Sequence, residues 1–311
     1  MEIRSLRSDL QEKAIKELNE DPKRIPEMFK HIMEWLRKQP HLNISKDDQL
    51  MIAFFRGCKW SLQNVKAKLD YFYSIQGLIP EFFENRDPFS PEIQNVLKAR
   101  VIFPFPKVEK YVGPVIVMYN LKNIDGIASP LTVTMKLFFM TLDILMKEDD
   151  DFVISGVTIL ADHDQCPSSY YLQFNPTAIK NYITCLQHAY PIRVKNFIAL
   201  NALTAFETIF DVCAKPFLSM KLRERIFVFN TANSKKFLSQ FPQFLLPREY
   251  GGTNGTMADA ADEWARKVEN YREWFLEDAK YGCNETLRIG KIQPFDNGVG
   301  VDGTFRKLDI D

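Results

Sequence analysis

The stretch VTILAD, residues 157–162, has the pattern of a buried strand and opens the region that decides the fold. A helical pattern follows over residues 176–189, and after it come a strand over 194–201 and a long apolar helix over 206–219. Another strand, over 226–229, completes the alternation. Strands that alternate with connecting helices predict an α/β fold with a mixed or largely parallel sheet.

The regions before this stretch predict a second, all-helical unit. Residues 115–119 and 130–147 extend the alternation by one strand and one apolar helix. Before them, closely spaced prolines block long helices and central strands. Apolar stripes of helical spacing fill the amino-terminal part. We therefore predict a helical amino-terminal bundle over 1–78, a proline-rich connection over 79–113, the α/β domain over 114–281 and a tail over 282–311.

The composition excludes a strong global electric field. The chain of 311 residues carries 40 acidic and 40 basic side chains, so its formal net charge is zero. We expect no nucleic-acid partner, and any attraction to a membrane must come from a local patch. The five cysteines are widely spaced, and there is neither a signal-peptide pattern nor an apolar run of about 18 residues. These features predict a cytoplasmic protein that meets membranes from the water side.

Motifs of catalysis and metal binding are missing from the sequence. No Gly-x-Gly-x-x-Gly follows a strand, and there is no phosphate-binding loop or Gly-x-Ser-x-Gly turn. None of the four histidines stands in a metal-like pair. Asp162-His163-Asp164, at the end of a predicted strand, could supply an acid/base group, although the pattern favours a loop cap. We therefore expect no enzyme, no metal and no cofactor.

Asp143 interrupts an otherwise apolar helix. It shares one helical face with Lys136 and Lys147, at steps of seven and four residues. This spacing favours a solvent-facing stripe with an Asp–Lys pair. The alternative is that Asp143 faces a cavity and binds the polar end of a ligand.

The helix over 206–219 has one continuous apolar face. Five residues at helical spacing form it: Phe206, Ile209, Phe210, Cys213 and Phe217. Two interpretations fit this pattern. The helix either packs permanently on the sheet, or it is a movable lid that covers a cavity and can swing into a membrane interface.

Basic residues follow this helix and precede the strand before it. Lys221, Arg223 and Arg225 lie just beyond the helix, and Arg193 and Lys195 lie where the preceding strand begins. If the crossover brings the two groups together, they form a site for phosphate groups. A solvated basic surface is the simpler alternative.

Four segments together resemble the CRAL-TRIO lipid-binding family, and in particular its branch of tocopherol-transfer proteins and clavesins. These segments are ILAD at 159–162, AYPIR at 189–193, KPFLSMKLRER at 215–225 and LPREYGG at 246–252. The resemblance covers about residues 10–275, and residues 305–308 of the tail are similar to those of insect members. Two positions depart from the family pattern, since Gln165 replaces a frequent glycine and Leu203 a frequent proline.

The resemblance implies a helical amino-terminal bundle and an α/β domain whose apolar cavity is closed by a lid helix, here residues 202–220. The family positions that line the cavity match Phe139, Val157, Phe174, Tyr182, Cys185, Leu186, Ile192, Val194 and Phe197. The positions of a basic cleft for phosphoinositide headgroups match Arg193, Lys195, Lys221 and Arg225, with Lys59 beside a further one.

The resemblance also implies a function without chemistry. We expect a monomeric, peripherally membrane-associated protein that binds one hydrophobic molecule, such as a tocopherol, retinoid or carotenoid, and transfers it between membranes. Two alternatives remain open. One is a trafficking adaptor that senses phosphoinositides and carries no cargo, and the other is an enzyme that acts through Asp162 and His163.

Overall fold

The computed structural model describes residues 3–109, 111–125 and 128–290. Its amino-terminal part is helical, in line with the apolar stripes of the sequence. Helix α4, for example, begins after Ser61, whose hydroxyl accepts a hydrogen bond from the amide of Asn64, and it buries Val65, Leu69 and Phe72. The helices are α1 (Ser8–Leu18), α2 (Ile25–Leu36), α3 (Asp48–Gly57), α4 (Leu62–Leu78), α5 (Pro80–Phe83) and α6 (Pro91–Lys98).

A five-stranded sheet forms the centre of the second part. Its strands lie in chain order, and only the first neighbouring pair is antiparallel. The strands are β2 (Ile102–Pro104), β3 (Val115–Asn120), β4 (Val157–Asp162), β5 (Val194–Leu200) and β6 (Ile226–Val228), whereas β1 (Leu42–Asn43) lies outside this sheet. Every residue of β4 is buried, because helices cover both faces of a parallel sheet. The predicted α/β class with a mixed sheet is confirmed.

The connections between parallel strands are helical. Strand β3 leads through α7 (Leu131–Glu148) and α8 (Asp150–Ser155) to β4. Strand β4 leads through α9 (Ser168–Tyr171) and α10 (Pro176–Thr184), which a π-helical turn extends to Ala189. No described helix is long and apolar enough to cross a membrane.

The predicted regular helix over 206–219 is irregular in the structure. Helix α11 (Thr204–Ile209) passes into a π-helical segment, Phe210–Ala214, and then into a 3₁₀ turn, Lys215–Phe217. Pro216 has no amide hydrogen for the carbonyl four residues earlier, so the regular hydrogen-bond ladder cannot continue through it. We call residues 204–217 the lid. After it follow α12 (Met220–Arg223), α13 (Thr231–Gln240), α14 (Met257–Asn270) and α15 (Arg272–Asp278).

The first residues of the predicted tail contact the amino-terminal helices. Strand β7 (Gly282–Cys283) pairs antiparallel with β1. Arg288 donates hydrogen bonds to Asp70 and to the hydroxyl of Ser74, both on α4. Residues 305–308, which carry the similarity to insect members, lie outside the described residues.

The predicted solvent-facing position of Asp143 is wrong. Its residue is 2% exposed, and its carboxylate accepts hydrogen bonds from Arg86 at 2.7 Å and from the hydroxyl of Tyr190 at 2.9 Å. Arg86 also pairs with Asp278. Burial raises the pKa of Asp143 to about 7, although the charge of Arg86 opposes the rise. The prediction failed because α7 is covered on all sides, so no face of it is a solvent face.

Candidate functional site

A cavity of about 160 Å³ lies between the sheet, α7, α10 and the lid. Side chains alternate between the two faces of a strand, so Ile159 and Ala161 of β4 and His163 beyond it point to the same side and form the sheet side of the cavity. Almost all of the lining is apolar. It consists of Tyr119, Leu121, Leu131, Thr134, Met135, Ile159, Ala161, His163, Tyr170, Phe174, Ile179, Tyr182, Ile183, Leu186, Val194, Phe197, Phe206, Ile209, Phe210, Cys213, Ala214, Leu218, Leu222, Arg225 and Ile226.

The structure brings part of the predicted lining together. From the sheet and α10 side, the predicted residues at the cavity are Phe174, Tyr182, Leu186, Val194 and Phe197. From the lid, they are Phe206, Ile209, Phe210 and Cys213.

Other predicted residues lie away from the cavity. The ring of Phe139 packs against Phe82, Phe83 and Tyr190. Val157 is buried at the first position of β4 and does not line the cavity, although its partner in the register, Val194, does. The remaining three lie beside the cavity rather than in its wall: fully buried Cys185, half-buried Ile192 and Phe217, whose ring lies near the ammonium group of Lys180.

Sequence reasoning missed the contributions of β3 and α7. Tyr119 and Met135 line the cavity, and the hydroxyl of Tyr119 lies 2.9 Å from that of Tyr182. Alternation along β4 could have pointed to Ile159, Ala161 and His163 once one of them was assigned to the cavity. No comparable signal exists for α7, because it is buried on all sides and the sequence does not show which of its faces meets the cavity.

The lid holds its apolar face against the cavity. Phe206 is 6% exposed, and its ring centroid lies 4.1 Å from that of His163. On the outer side, Val212 is 64% exposed. At the other end of the lid, the amide of Gln187 donates to the carbonyl of Phe217 at 2.9 Å and accepts from the amide of Ser219 at 2.8 Å. One side chain therefore fixes the carboxyl end of the lid to the end of α10.

The end of β4 is fixed by a hydrogen-bond network around Asp162. Its carboxylate accepts from the hydroxyl of Tyr250 at 2.6 Å, from the side chain of Asn201 at 2.7 Å and from the amide of Asp164 at 2.9 Å. The loop-cap interpretation of Asp162 fits this geometry. Gln165 follows at a φ of 56°, in the left-handed region that favours glycine.

The LPREYGG turn supplies Tyr250 to this network. Gly251 has a φ of 78°, and a side chain on Gly252 would overlap the carbonyl oxygen of Leu246 at 2.0 Å. Both glycines are therefore needed to fold the turn tightly enough to bring Tyr250 to Asp162. The motif therefore fixes the position of the end of β4, which lies next to the cavity.

The predicted basic residues lie close together. We call Lys59, Arg193, Lys195, Lys221 and Arg225 the basic cluster. Burial lowers the pKa of Lys221, and the charges of Arg225, Lys59 and Arg193 lower it further. The pKa of Lys195 is likewise lowered by burial and then by Arg193. Mutual repulsion of this kind requires that the cations be neighbours in space.

Carboxylates neutralise the basic cluster only in part. Arg193 pairs with Glu17 at 2.7 Å, and this hydrogen bond lowers the pKa of Glu17. The other four members have no carboxylate within 4.0 Å among the described residues. Arg225 donates to the carbonyl of Val194 at 2.5 Å and also lines the cavity, so the basic cluster borders the cavity.

Two separate parts of the chain match models of known protein families. Residues 100–252 match the CRAL/TRIO domain, and residues 21–93 match the Pinta-like UBA domain. This chain carries a CRAL/TRIO domain. The cavity residues, from Tyr119 to Ile226, all fall within the matched range. Of the basic cluster, only Lys59 lies within the range that matches the Pinta-like UBA domain.

The CRAL/TRIO chain is homologous to proteins of two named groups. It is 29% identical to the human alpha-tocopherol transfer protein-like protein over 82% of this chain and 73% of that one. It is 27% identical to rat clavesin-1 over 80% of this chain and 69% of that one. Among solved structures, it is similar to Sfh5, with a TM-score of 0.47 and 14% identity over 88% of this chain and 100% of that one.

Proposed function

We propose that this CRAL/TRIO protein binds one small hydrophobic molecule in its cavity and transfers it between membranes without altering it. The observation that carries the proposal is the apolar cavity beneath the lid. Burial of several hundred Å² of lipid surface, at roughly 25 cal/mol per Å², contributes on the order of 10 kcal/mol before the costs of association. That suffices to hold a tocopherol, retinoid, carotenoid or similar lipid without a covalent bond.

The same proposal includes recognition of phosphoinositide headgroups by the basic cluster. Cations that repel each other and lack carboxylate partners bind a multivalent phosphate favourably, because the phosphate removes the repulsion. Arg225 belongs to the basic cluster and also lines the cavity, so a headgroup bound to the cluster lies next to the stored lipid.

Release requires the lid to move towards a membrane. Val212 on the outer side of the lid, Leu203 just before it and Met220 just after it are exposed apolar residues. Insertion of these side chains into the headgroup region would favour the open lid, and anionic lipids would hold the basic cluster at the surface. The protein would act as a peripheral, cytoplasmic carrier.

Extraction of the purified protein with organic solvent tests the cavity. We expect one class of hydrophobic molecule in a stoichiometric amount. Replacement of Phe210 by Asp should abolish retention, because it places a charge in the cavity wall. The matched control is Phe244→Asp, at an exposed phenylalanine outside the cavity, which should retain the lipid.

Sedimentation with phosphoinositide vesicles tests the basic cluster. The double variant Lys195→Ala, Lys221→Ala should bind them severalfold more weakly and still load the lipid, because neither residue lines the cavity. Lys235→Ala, Lys236→Ala removes equal charge from exposed positions on α13 and serves as the control. Unchanged vesicle binding of the first variant would refute the headgroup assignment.

One observation favours a second candidate, a phosphoinositide-sensing trafficking adaptor without cargo. The cavity of about 160 Å³ is smaller than the 300–1,000 Å³ typical of ligand pockets. A carrier must therefore enlarge the cavity by moving the lid or the aromatic side chains when it loads. An empty extract combined with intact vesicle binding would favour the adaptor.

A further inference from the structure

His163 lies in the cavity wall, and one of its ring nitrogens is buried without a hydrogen-bond partner. Its residue is 3% exposed, and Nδ1 lies 2.9 Å from the hydroxyl of Tyr171. Its Nε2 is buried without a hydrogen-bond partner. A buried nitrogen left in this state costs free energy, so its retention in an apolar wall points to a partner supplied by a ligand.

The other polar groups of the cavity wall already have partners. The hydroxyls of Tyr119 and Tyr182 bond to each other, Thr134 donates to the carbonyl of Pro130, and Arg225 donates to the carbonyl of Val194. The Phe206 ring covers His163 and keeps water from it when the lid is closed. Among the described residues of the wall, His163 Nε2 is the one side-chain nitrogen or oxygen atom that is buried with no hydrogen-bond partner at all.

The state of the imidazole limits the chemistry of that partner. Burial lowers the pKa of His163 to about 4, so the ring is neutral at pH 7. If Tyr171 donates to Nδ1, then Nε2 carries the hydrogen and needs an acceptor, and in the reverse case it needs a donor. A hydroxyl group serves both tautomers, whereas an ionised carboxylate would be buried without a cation beside it.

We propose that the cavity ligand is a neutral lipid alcohol whose hydroxyl group hydrogen-bonds to His163 Nε2 beneath the amino end of the lid. This inference rests on the proposed carrier function and names the ligand class of the same cavity. His163 follows the carboxyl end of β4. Val194 and Arg225 lie at the amino ends of β5 and β6, on the other side of the sheet's length. The apolar part of the lipid therefore runs along the strands, over a length of about 20 Å at roughly 3.3 Å per residue.

Three probes of equal chain length test the anchor: dodecanol, methyl undecyl ether and tridecane. The measurement is the partition of each probe between delipidated protein and cyclodextrin. We expect the wild type to prefer dodecanol over tridecane by about tenfold, the effect of one buried hydrogen bond. His163→Leu should erase this preference and bind tridecane at least as well. Met135→Leu, a change of similar volume in the same wall, should keep it.

The affinity for the ether distinguishes the two tautomers of His163. Binding as tight as that of dodecanol shows that Nε2 donates, and binding as weak as that of tridecane shows that it accepts; both support the anchor when His163→Leu removes the preference for the alcohol. If His163→Leu fails to fold, His163→Gln retains a donor and an acceptor and should keep part of the preference. In ¹⁵N-histidine-labelled wild type, dodecanol and not tridecane should shift the Nε2 resonance.

Three outcomes overturn the proposal. Equal binding of dodecanol and tridecane by the wild type refutes the anchor and leaves the carrier function standing. A preference that survives His163→Leu places the hydroxyl elsewhere in the cavity. Binding of none of the probes contradicts the carrier function itself, and the anchor falls with it.

Discussion

Two of the buried polar clusters among the described residues differ in where their unpaired atoms lie. Beside α7, Arg86 contacts both Asp143 and Asp278, and Tyr190 adds a hydrogen bond. Beneath the lid, His163 has one partner and one bare nitrogen. The first cluster joins α7 to α15, and its four residues are not among those that line the cavity. The second lies in a cavity wall, so its missing partner can come from outside. Arg86 Nε is also buried without a partner, so position in the cavity wall, and not pairing alone, separates the binding cluster from the structural one.

Removal of Arg86 should have the largest effect. Arg86→Leu leaves Asp143 and Asp278 buried without their cation, and we expect the free energy of unfolding to fall by about 3–5 kcal/mol in urea denaturation. Arg272→Leu removes an arginine from a surface pair with Asp87 and should cost much less, because water screens that pair. Equal losses would show that the Arg86 cluster is no more structural than a surface pair.

Asp143 should make the paired cluster sensitive to rising pH. Its pKa is raised in the folded state, so the stability it contributes is present below about pH 4 and is lost as the pH rises towards 7. The advantage of the wild type over Asp143→Asn should therefore shrink across this window, by at most about 1.4 kcal/mol per pH unit. Urea denaturation at several pH values measures it, and a constant difference would contradict the raised pKa.

His163 should have the opposite pH dependence. Its pKa is lowered in the folded state, so its contribution is complete above about pH 6.5 and is lost as the pH falls towards 4. Relative to His163→Leu, the wild type should lose about 2–3 kcal/mol over this range. Met135→Leu, in the same cavity wall but without a titratable group, is the control and should keep the pH dependence of the wild type.

The smallest effect concerns the lid. Gln187→Ala removes both hydrogen bonds that hold the carboxyl end of the lid, and we expect amide exchange at Ser219 to accelerate about fivefold. Global stability should fall by about 1 kcal/mol. Gln240→Ala, at the exposed end of α13, should leave the lid unchanged. Unaltered exchange at Ser219 would mean that Gln187 does not restrain the lid.

The sequence by itself determined the alternation of strands and helices and the apolar face of the lid, whereas it left open whether Arg193 and Lys195 approach Lys221 and Arg225. These features follow from local periodicity and from the rule that parallel strands need crossover connections. The LPREYGG turn could also be predicted, because its glycines allow a positive φ at Gly251 and a close approach of Gly252 to the backbone of Leu246.

Only the tertiary structure decided which faces meet. Asp143 has the spacing of a surface residue, yet Arg86 and Tyr190, far away in sequence, bond to its carboxylate in the interior. His163 had the pattern of a loop residue, and only the fold of the lid over β4 buries it. The physical reason is that periodicity specifies which side chains share a face of one element. What that face packs against, and whether a polar atom there finds a partner, depends on elements that the chain brings together from a distance.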